Sequence, residues 1–394
     1  MTIFTEQCLL QSIDSRVVAY TQQLIQFESI TPNDMGCQTW IANKLKQLGA
    51  EIEHFECNEV SSLIATIDLG EGPDIAFCGH TDVVPIGHES KWDAPPFAGE
   101  IIDQHLIGRG VADMKGGIAA ALVAVEEIIK QGTCAGKIWF LITSDEEGEA
   151  EFGTKHIVNT LSQRDQQFDF CIVGEPTSDK VCGDTIKVGR RGALSFDVVI
   201  NGKSGHVAYP EQGVNAIHLA GEIVQNLTQY DWQQGESRRP STTLQITHID
   251  SGKWSDNVIP DQVKLSFNVR FTEQFDEQSL IKVVDNIVRK STLDYTCKAY
   301  RGCVPYYCDE PTRSELSFVN ICQQAIAQCI GEIPRISTSG GTSDGRFVRD
   351  ICNQVIELGL TNSTIHQENE RIHVNELSTL SIVYFTIFRN VLGM

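Results

Sequence analysis

No two of the thirteen cysteines are spaced as Cys-x-x-Cys, which excludes the paired-thiol redox motif. An odd number cannot all be paired. Most lie in apolar surroundings, Cys78, Cys171 and Cys329 among them, where a reduced thiol behaves as a small hydrophobe. This usage points to a reducing cytoplasm. Basic residues are scarce as well: 31 Lys and Arg stand against 52 Asp and Glu, a net charge of −21. Nucleic acid and anionic membrane both need a basic surface and are excluded as partners, and any anionic substrate must be met by local arginines. The start of the chain, MTIFTEQCLLQSIDSR, lacks a basic region followed by an apolar core, so no signal peptide is expected. The longest run of small apolar residues, 118–125, is far too short to span a bilayer. There is no internal repeat and no low-complexity tract.

What the sequence does have is a set of apolar runs that end in ionisable residues. At 394 residues, 41% of them hydrophobic, the chain is long enough for about two domains. The run at 75–84, IAFCGHTDVV, delivers His80 and Asp82 to the end of an expected strand. Neutral imidazole is a good metal ligand, and a carboxylate two residues on can bind metal or orient the ring through its other nitrogen. KIWFLIT at 137–143 runs into Ser144-Asp145-Glu146-Glu147-Gly148, and the run at 168–173 into Gly174-Glu175-Pro176. In open α/β sheets ligands bind where the strands finish.

Apolar spacing predicts helices over 15–27, 39–48, 118–130, 315–330 and 376–392, with strands over 51–57, 63–69 and 354–358. From 190 the pattern changes. Strands at 194–200, 243–249, 262–271 and 295–300 alternate with helices at 214–227 and 277–289 to spell βαββαβ. The expected organisation is a discontinuous α/β domain, 1–189 plus 305–394, interrupted by a separate α+β domain at 190–304.

Five candidate metal ligands stand at strand ends or adjacent loops: His80, Asp113, Glu147 or Glu146, Glu175 and His366. Asp113 lies in a glycine-rich segment just before a helix. Each could be ordinary: adjacent acids usually make a solvated turn, and nothing local distinguishes His366 from His373. Jointly they point elsewhere, because burying neighbouring carboxylates is costly without a cation. Histidine and carboxylate without thiolate suit zinc in a hydrolytic site, and five ligands exceed what one catalytic zinc needs. Two ions sharing a carboxylate would use them all.

Four ordered motifs, His80-Thr-Asp82, Gly110-Val-Ala-Asp113-Met-Lys-Gly, Ser144-Asp-Glu146-Glu147-Gly and Gly174-Glu175-Pro-Thr, resemble those of the di-zinc aminoacylase and carboxypeptidase superfamily. Arg190-Arg-Gly, Gly205-His206-Val-Ala-Tyr209-Pro, Asn257-Val-Ile-Pro, Ser339-Gly-Gly341-Thr342-Ser-Asp-Gly-Arg346-Phe and Thr364-Ile-His366 are similar to its desuccinylase branch. The departures are Ile86-Gly87-His88 in place of a proline-glycine turn and about a dozen extra N-terminal residues. The resemblance implies a zinc-hydrolase catalytic domain carrying an inserted dimerisation domain, two Zn2+ per subunit with Co2+ able to substitute, and a homodimer. His80, Asp113 and Glu175 would hold one ion, and Glu147, Asp113 and His366 the other. Asp82 would fix the tautomer of His80, Glu146 would transfer protons, and His206 would stabilise an oxyanion from the partner subunit. Arg190, Arg270 and Arg346, with Tyr209, Asn257, Gly341 and Thr342, would bind substrate. The implied reaction is hydrolysis of N-succinyl-LL-2,6-diaminopimelate. A sibling amidase such as an acetylornithine deacetylase or a peptidase would share the metal ligands and differ in the substrate residues.

Overall fold

The computed structural model describes residues 2–232, 240–252, 255–308 and 317–393, and their side chains apart from those of 2–12 and 14. Two compact units form. One comprises Met1–Gly189, Tyr307–Ser337 and Ser343–Met394, the other Arg190–Tyr306 and Thr338–Thr342.

In the first unit the run containing His80 becomes the strand Asp74–His80, buried at every residue but the first. Lys137–Thr143 flanks it on one side and Phe170–Val173 on the other, both parallel, with His80 opposite Thr143 and Cys78 opposite Val173. Val355–Glu357 extends the parallel set beyond Phe170–Val173. Strands covered on both faces need no polar side, so they read as continuous apolar runs. Because all four point the same way, the loops after them open at one edge. The full sheet has eight strands, with Val60–Asp68 and Glu51–Cys57 added antiparallel beyond Lys137–Thr143 and Thr185–Lys187 and Arg335–Ser337 beyond Val355–Glu357.

Alternate side chains of these strands, among them Ala65, Phe77, Phe140 and Ile172, join one core with the helices Gly116–Gln131, Phe318–Ile330 and Val374–Leu392. Each such large apolar side chain contributes about 1.5–3 kcal/mol by leaving water. The helix Gly116–Gln131 is buried continuously over its first ten residues, Gly116 to Val125. Its second residue must be glycine: a Cβ on Gly117 would stand 2.8 Å from the carbonyl oxygen of Gly174. That close approach brings the backbone before Glu175 against the segment that carries Asp113.

The second unit is the βαββαβ arrangement. Strands Thr243–Asp250, Gln262–Phe271, Gly192–Asn201 and Tyr295–Cys303 lie in that order, all antiparallel. Phe196 and Phe267 stack with centroids 5.0 Å apart beneath the helices Ala216–Gln229 and Glu277–Arg289. The alternate face is polar: Lys264 pairs with Asp197 at 2.9 Å, and Asn268 donates to Ser195 Oγ at 3.0 Å. Asp276 caps the second helix through the Ser279 amide, a device that typically contributes about 1 kcal/mol.

Several boundaries differ from the sequence expectation. The first helix is Thr2–Ile25 in place of 15–27. The strand expected over 168–173 begins at Phe170, Phe168 making only an isolated bridge to Cys352. The helix expected from Glu315 runs over Phe318–Ile330, Glu315 itself lying outside the described residues. Thr154–Ser162 is an unanticipated helix: its three large apolar residues, Ile157, Val158 and Leu161, make too short a period to stand out after an acid- and glycine-rich loop. Among the described residues no helix is long and apolar enough to cross a membrane, and the cysteines whose side chains are described form no disulfide.

Candidate metal centre

His80 ends its strand with the ring 1% exposed. Its Nδ1 stands 2.9 Å from the backbone carbonyl of Asp82 and 3.6 Å from Asp82 Oδ1. In the neutral ring a proton on Nδ1, donated to that carbonyl, would leave the Nε2 lone pair facing the cluster, as metal ligation needs. The Asp82 carboxylate, also fully buried, is turned to another task. Its two oxygens accept the backbone N–H groups of Glu146 and Glu147, at 3.2 and 3.0 Å. Thus the turn after one strand is fastened to the turn after its neighbour. Asp145 organises the far side of that turn by accepting the N–H groups of Ala150, Glu151 and Phe152.

Asp113 lies between the two histidines. Its Oδ1 is 3.3 Å from Nε2 of His80 and its Oδ2 is 3.3 Å from Nε2 of His366. His366 Nε2 is also 3.0 Å from Glu147 Oε1, and His80 Nε2 is 3.7 Å from Glu175 Oε1. The donor atoms of His80, Asp113 and Glu175 lie within 4.8 Å of one another, as do those of Asp113, Glu147 and His366. Asp113 belongs to both sets. The same spacing holds for His80, Glu146 and Glu147, so both members of the acid pair face this centre.

Charge in the cluster is strongly perturbed. Burial would lower the His80 pKa, yet hydrogen bonding to Asp113 and the charges of Asp82, Glu146 and Glu175 outweigh it and hold it well above the ordinary value. Burial raises the Asp113 pKa, but its contacts with His366 and His80 win and hold it below the usual carboxylate range. Glu146 is pushed well up by burial, with Asp344, Glu147 and Asp113 adding repulsion against the attraction of His80. Glu175 is raised by burial and then by Asp113 and Glu146. Its Oε1 is buried without a hydrogen-bond partner. Clustered oxygens around two imidazoles, one oxygen unsatisfied, are what a bound divalent cation would balance. The absence of thiolate from the donor set favours a cation of zinc, cobalt or harder type. The residues therefore fit a metal centre with two overlapping positions.

A pH dependence follows for the metal-free protein. Hydrogen bonds to Asp113 and then Glu147 lift His366 to about 10 from its ordinary 6.5. A pKa raised on folding gives stability that is complete below pH 6.5 and gone above about pH 10. The raised Glu146 and Glu175 act in the same direction. Metal-free protein is expected to lose Tm as pH rises through that window, and His366→Gln to flatten the profile. Superimposable profiles for variant and wild type would refute the assignment.

The expected substrate residues fall in both units. In the second unit Gly205–His206 pairs with Val258–Ile259, which brings His206, Tyr209 and Asn257 together. The His206 and Tyr209 rings are 5.9 Å apart, and the Val207 amide donates to the Asn257 carbonyl at 3.2 Å. Arg190 is buried and donates to the Ser339 carbonyl at 2.9 Å, beside Gly341 and Thr342. Gly340 there has φ of 111°, and a Cβ on it would run into the Arg190 guanidinium. Arg270 stands at the end of its strand, opposite Ala193 and Thr243. Arg346 belongs to the first unit, its guanidinium 4.5 Å from the Phe347 ring centroid. Two residues around the centre escaped the sequence reading. Asp344 is buried and accepts from Thr154 Oγ1 at 2.6 Å, its pKa raised to about 6 chiefly by burial. Glu370 is buried against Arg109 at 2.7 Å. In sequence the first passes for part of a polar loop and the second for part of a solvated acidic run, Gln-Glu-Asn-Glu-Arg.

The chain belongs to peptidase family M20/M25/M40, whose model matches residues 76–390. Within that family it stands with the succinyl-diaminopimelate desuccinylases. Succinyl-diaminopimelate desuccinylase 1 of Alteromonas mediterranea is 45% identical over 375 residues, covering 95% of this chain and 96% of the relative. Succinyl-diaminopimelate desuccinylase 2 of Shewanella loihica is 43% identical over 370 residues, covering 93% and 97%. Among solved structures, the aminopeptidase PepT of Bacillus cereus aligns with a TM-score of 0.78 at 21% identity, over 96% of this chain and 98% of that one. That last likeness is one of fold. The superfamily and α/β fold expected from the motifs are borne out.

Proposed function

We propose that this chain is a metal-dependent amide hydrolase converting N-succinyl-LL-2,6-diaminopimelate and water to succinate and LL-2,6-diaminopimelate, a step toward lysine and peptidoglycan. The observation that carries it is Asp113, which presents one oxygen to each of two histidines at 3.3 Å; the names and identities of the relatives support the substrate. His80, Asp113 and Glu175 would hold one ion and Asp113, Glu147 and His366 the other. The ions would be Zn2+, with Co2+ able to substitute, two per subunit. When bound, such ions bring the pKa of water to about 7 and polarise a carbonyl.

The chain's own residues do the rest. Glu146 accepts a proton from the attacking water at its carboxylate and passes it to the leaving amine nitrogen as the amide C–N bond breaks. Asp82 holds the His80 ring through its carbonyl and the Glu146 backbone through its carboxylate. Arg190, Arg270 and Arg346 bind the substrate carboxylates, since planar guanidinium groups meet them bidentately where a lysine does not. Tyr209, Asn257, Gly341 and Thr342 add hydrogen bonds. The inserted unit builds a homodimer and lends His206 to the partner's site. The lack of disulfides among the described cysteines supports a cytoplasmic location.

The test is turnover of N-succinyl-LL-2,6-diaminopimelate beside N-acetylornithine, with and without zinc. The succinylated compound is expected to be preferred and the zinc required. Arg270→Lys is expected to lower kcat/KM for it by roughly 10- to 100-fold, the loss of charge-assisted hydrogen bonds, at unchanged metal content. Preference for N-acetylornithine would replace the desuccinylase reading with that of a sibling amidase.

A further inference from the structure

We infer that Glu370, held by Arg109, is a positioning residue for the carboxylate shared between the two ion positions. The inference rests on the two-ion reading of the centre. Glu370 and Arg109 are 1% and 2% exposed, and both carboxylate oxygens of Glu370 are turned on one short stretch of backbone. Oε2 accepts the Arg109 guanidinium at 2.7 Å and the Gly110 N–H at 3.0 Å. Oε1 accepts the Ala112 N–H at 2.9 Å and the Asp113 N–H at 3.2 Å. The stretch being gripped ends on Asp113 itself.

Arg109 ties two further segments into the same knot. Its Nη1 donates to the Gln367 carbonyl and its Nη2 to the Pro85 carbonyl, each at 3.1 Å. Pro85 lies in the loop that follows His80 and Asp82, and Gln367 adjoins His366. The Gly108 amide closes the ring by donating to the Glu370 carbonyl at 3.0 Å. One buried ion pair thus connects the loops carrying His80, Asp113 and His366, which supply three of the five ligands. Stability alone is a poor reason for it: removing two charges from water offsets most of their attraction, and a well-packed apolar pair often does as well. Holding three ligand loops in register is a task that an apolar pair, with no acceptor for three N–H groups, cannot perform. Nothing in the reaction needs Glu370 to touch substrate, so its action passes through Asp113.

The experiment measures zinc content and zinc affinity directly, by competition with a chromophoric chelator, on the full chain. Wild type is expected to hold two ions. Glu370→Gln, which loses the charge and presents an amide N–H2 to N–H donors, is expected to weaken binding by about 10- to 100-fold, the usual range for partners behind a metal ligand. Arg16→Gln serves as the comparison, because it breaks the Arg16–Glu126 pair of 2.6 Å away from the centre; it is expected to lower Tm and leave zinc affinity unchanged. Glu370→Gln binding zinc as wild type does, or weakening only as far as Arg16→Gln, would overturn the inference. Should Glu370→Gln not fold, Arg109→Lys is measured in its place, since lysine keeps the charge but cannot reach Glu370, Gln367 and Pro85 together. Failure of both to fold makes the pair a stability element and overturns the inference too. Wild type holding fewer than two ions would instead bring down the two-ion reading, and this inference with it.

Discussion

Replacing Glu146 with alanine is expected to lower turnover by about 10²–10⁴-fold, the usual contribution of a positioned general base, while both zinc ions stay bound. The alternative is concrete, because the donor atoms of His80, Glu146 and Glu147 also lie within 4.8 Å of one another. Glu147 is committed elsewhere, 3.0 Å from the His366 ring, and the backbone of both acids is fixed by Asp82. In the proposed assignment five other residues would supply donors to two ions, which would leave the Glu146 carboxylate for protons. Its pKa is driven well up by burial, against the pull of His80. Metal analysis of Glu146→Ala decides the matter: loss of one equivalent of zinc would make it a ligand. Glu147→Ala should show that loss.

Mixing inactive His206→Ala and Glu146→Ala subunits is expected to restore activity to about a quarter of wild type. Random pairing of a two-fold dimer makes half the dimers mixed, and each mixed dimer has one site with both residues intact. What supports the shared site is the state of His206. Its Nδ1 accepts the Ala208 amide at 3.1 Å, which places the ring proton on Nε2, and the ring is exposed and so available as a donor. Val207, Val214 and Ile217 nearby are exposed apolar residues of the kind a second subunit would cover. No recovery on mixing, with a fully active wild-type monomer in sedimentation, would end the proposal.

The strands that end in the centre were legible because each combines two signals that rarely coincide. Asp74–His80 and Lys137–Thr143 are apolar throughout their buried length, then turn acidic or basic within two residues. Helices expected over 118–130 and 277–289 followed from equally plain patterns, the first an apolar run and the second amphipathic. Residues whose role depends on what they meet in space were hidden. Asp82 read as the partner of the His80 ring, yet the ring's nearer acceptor is the Asp82 carbonyl, and the carboxylate serves the next strand's turn. Glu370 is separated from the backbone it holds by about 260 residues, and no local pattern can announce such a contact. Thr338–Thr342 joins the second unit although it follows a strand of the first; a chain crossing of five residues leaves no change in composition.

The pairing of His366 with Glu147, 219 residues apart, sets an order in which the centre's parts are synthesised. During translation the first strands, the acid pair and the whole of 190–306 emerge before His366 exists outside the ribosome. The helix Val374–Leu392, whose side chains complete the core around Gly116–Gln131, comes later still. At a synthesis rate of roughly 5–20 residues per second, the nascent chain spends on the order of ten seconds with a cluster of acids and one histidine but no second imidazole. In the proposed two-ion assignment the position that uses His366 cannot close before that residue emerges, and the Asp113 backbone waits likewise on Glu370.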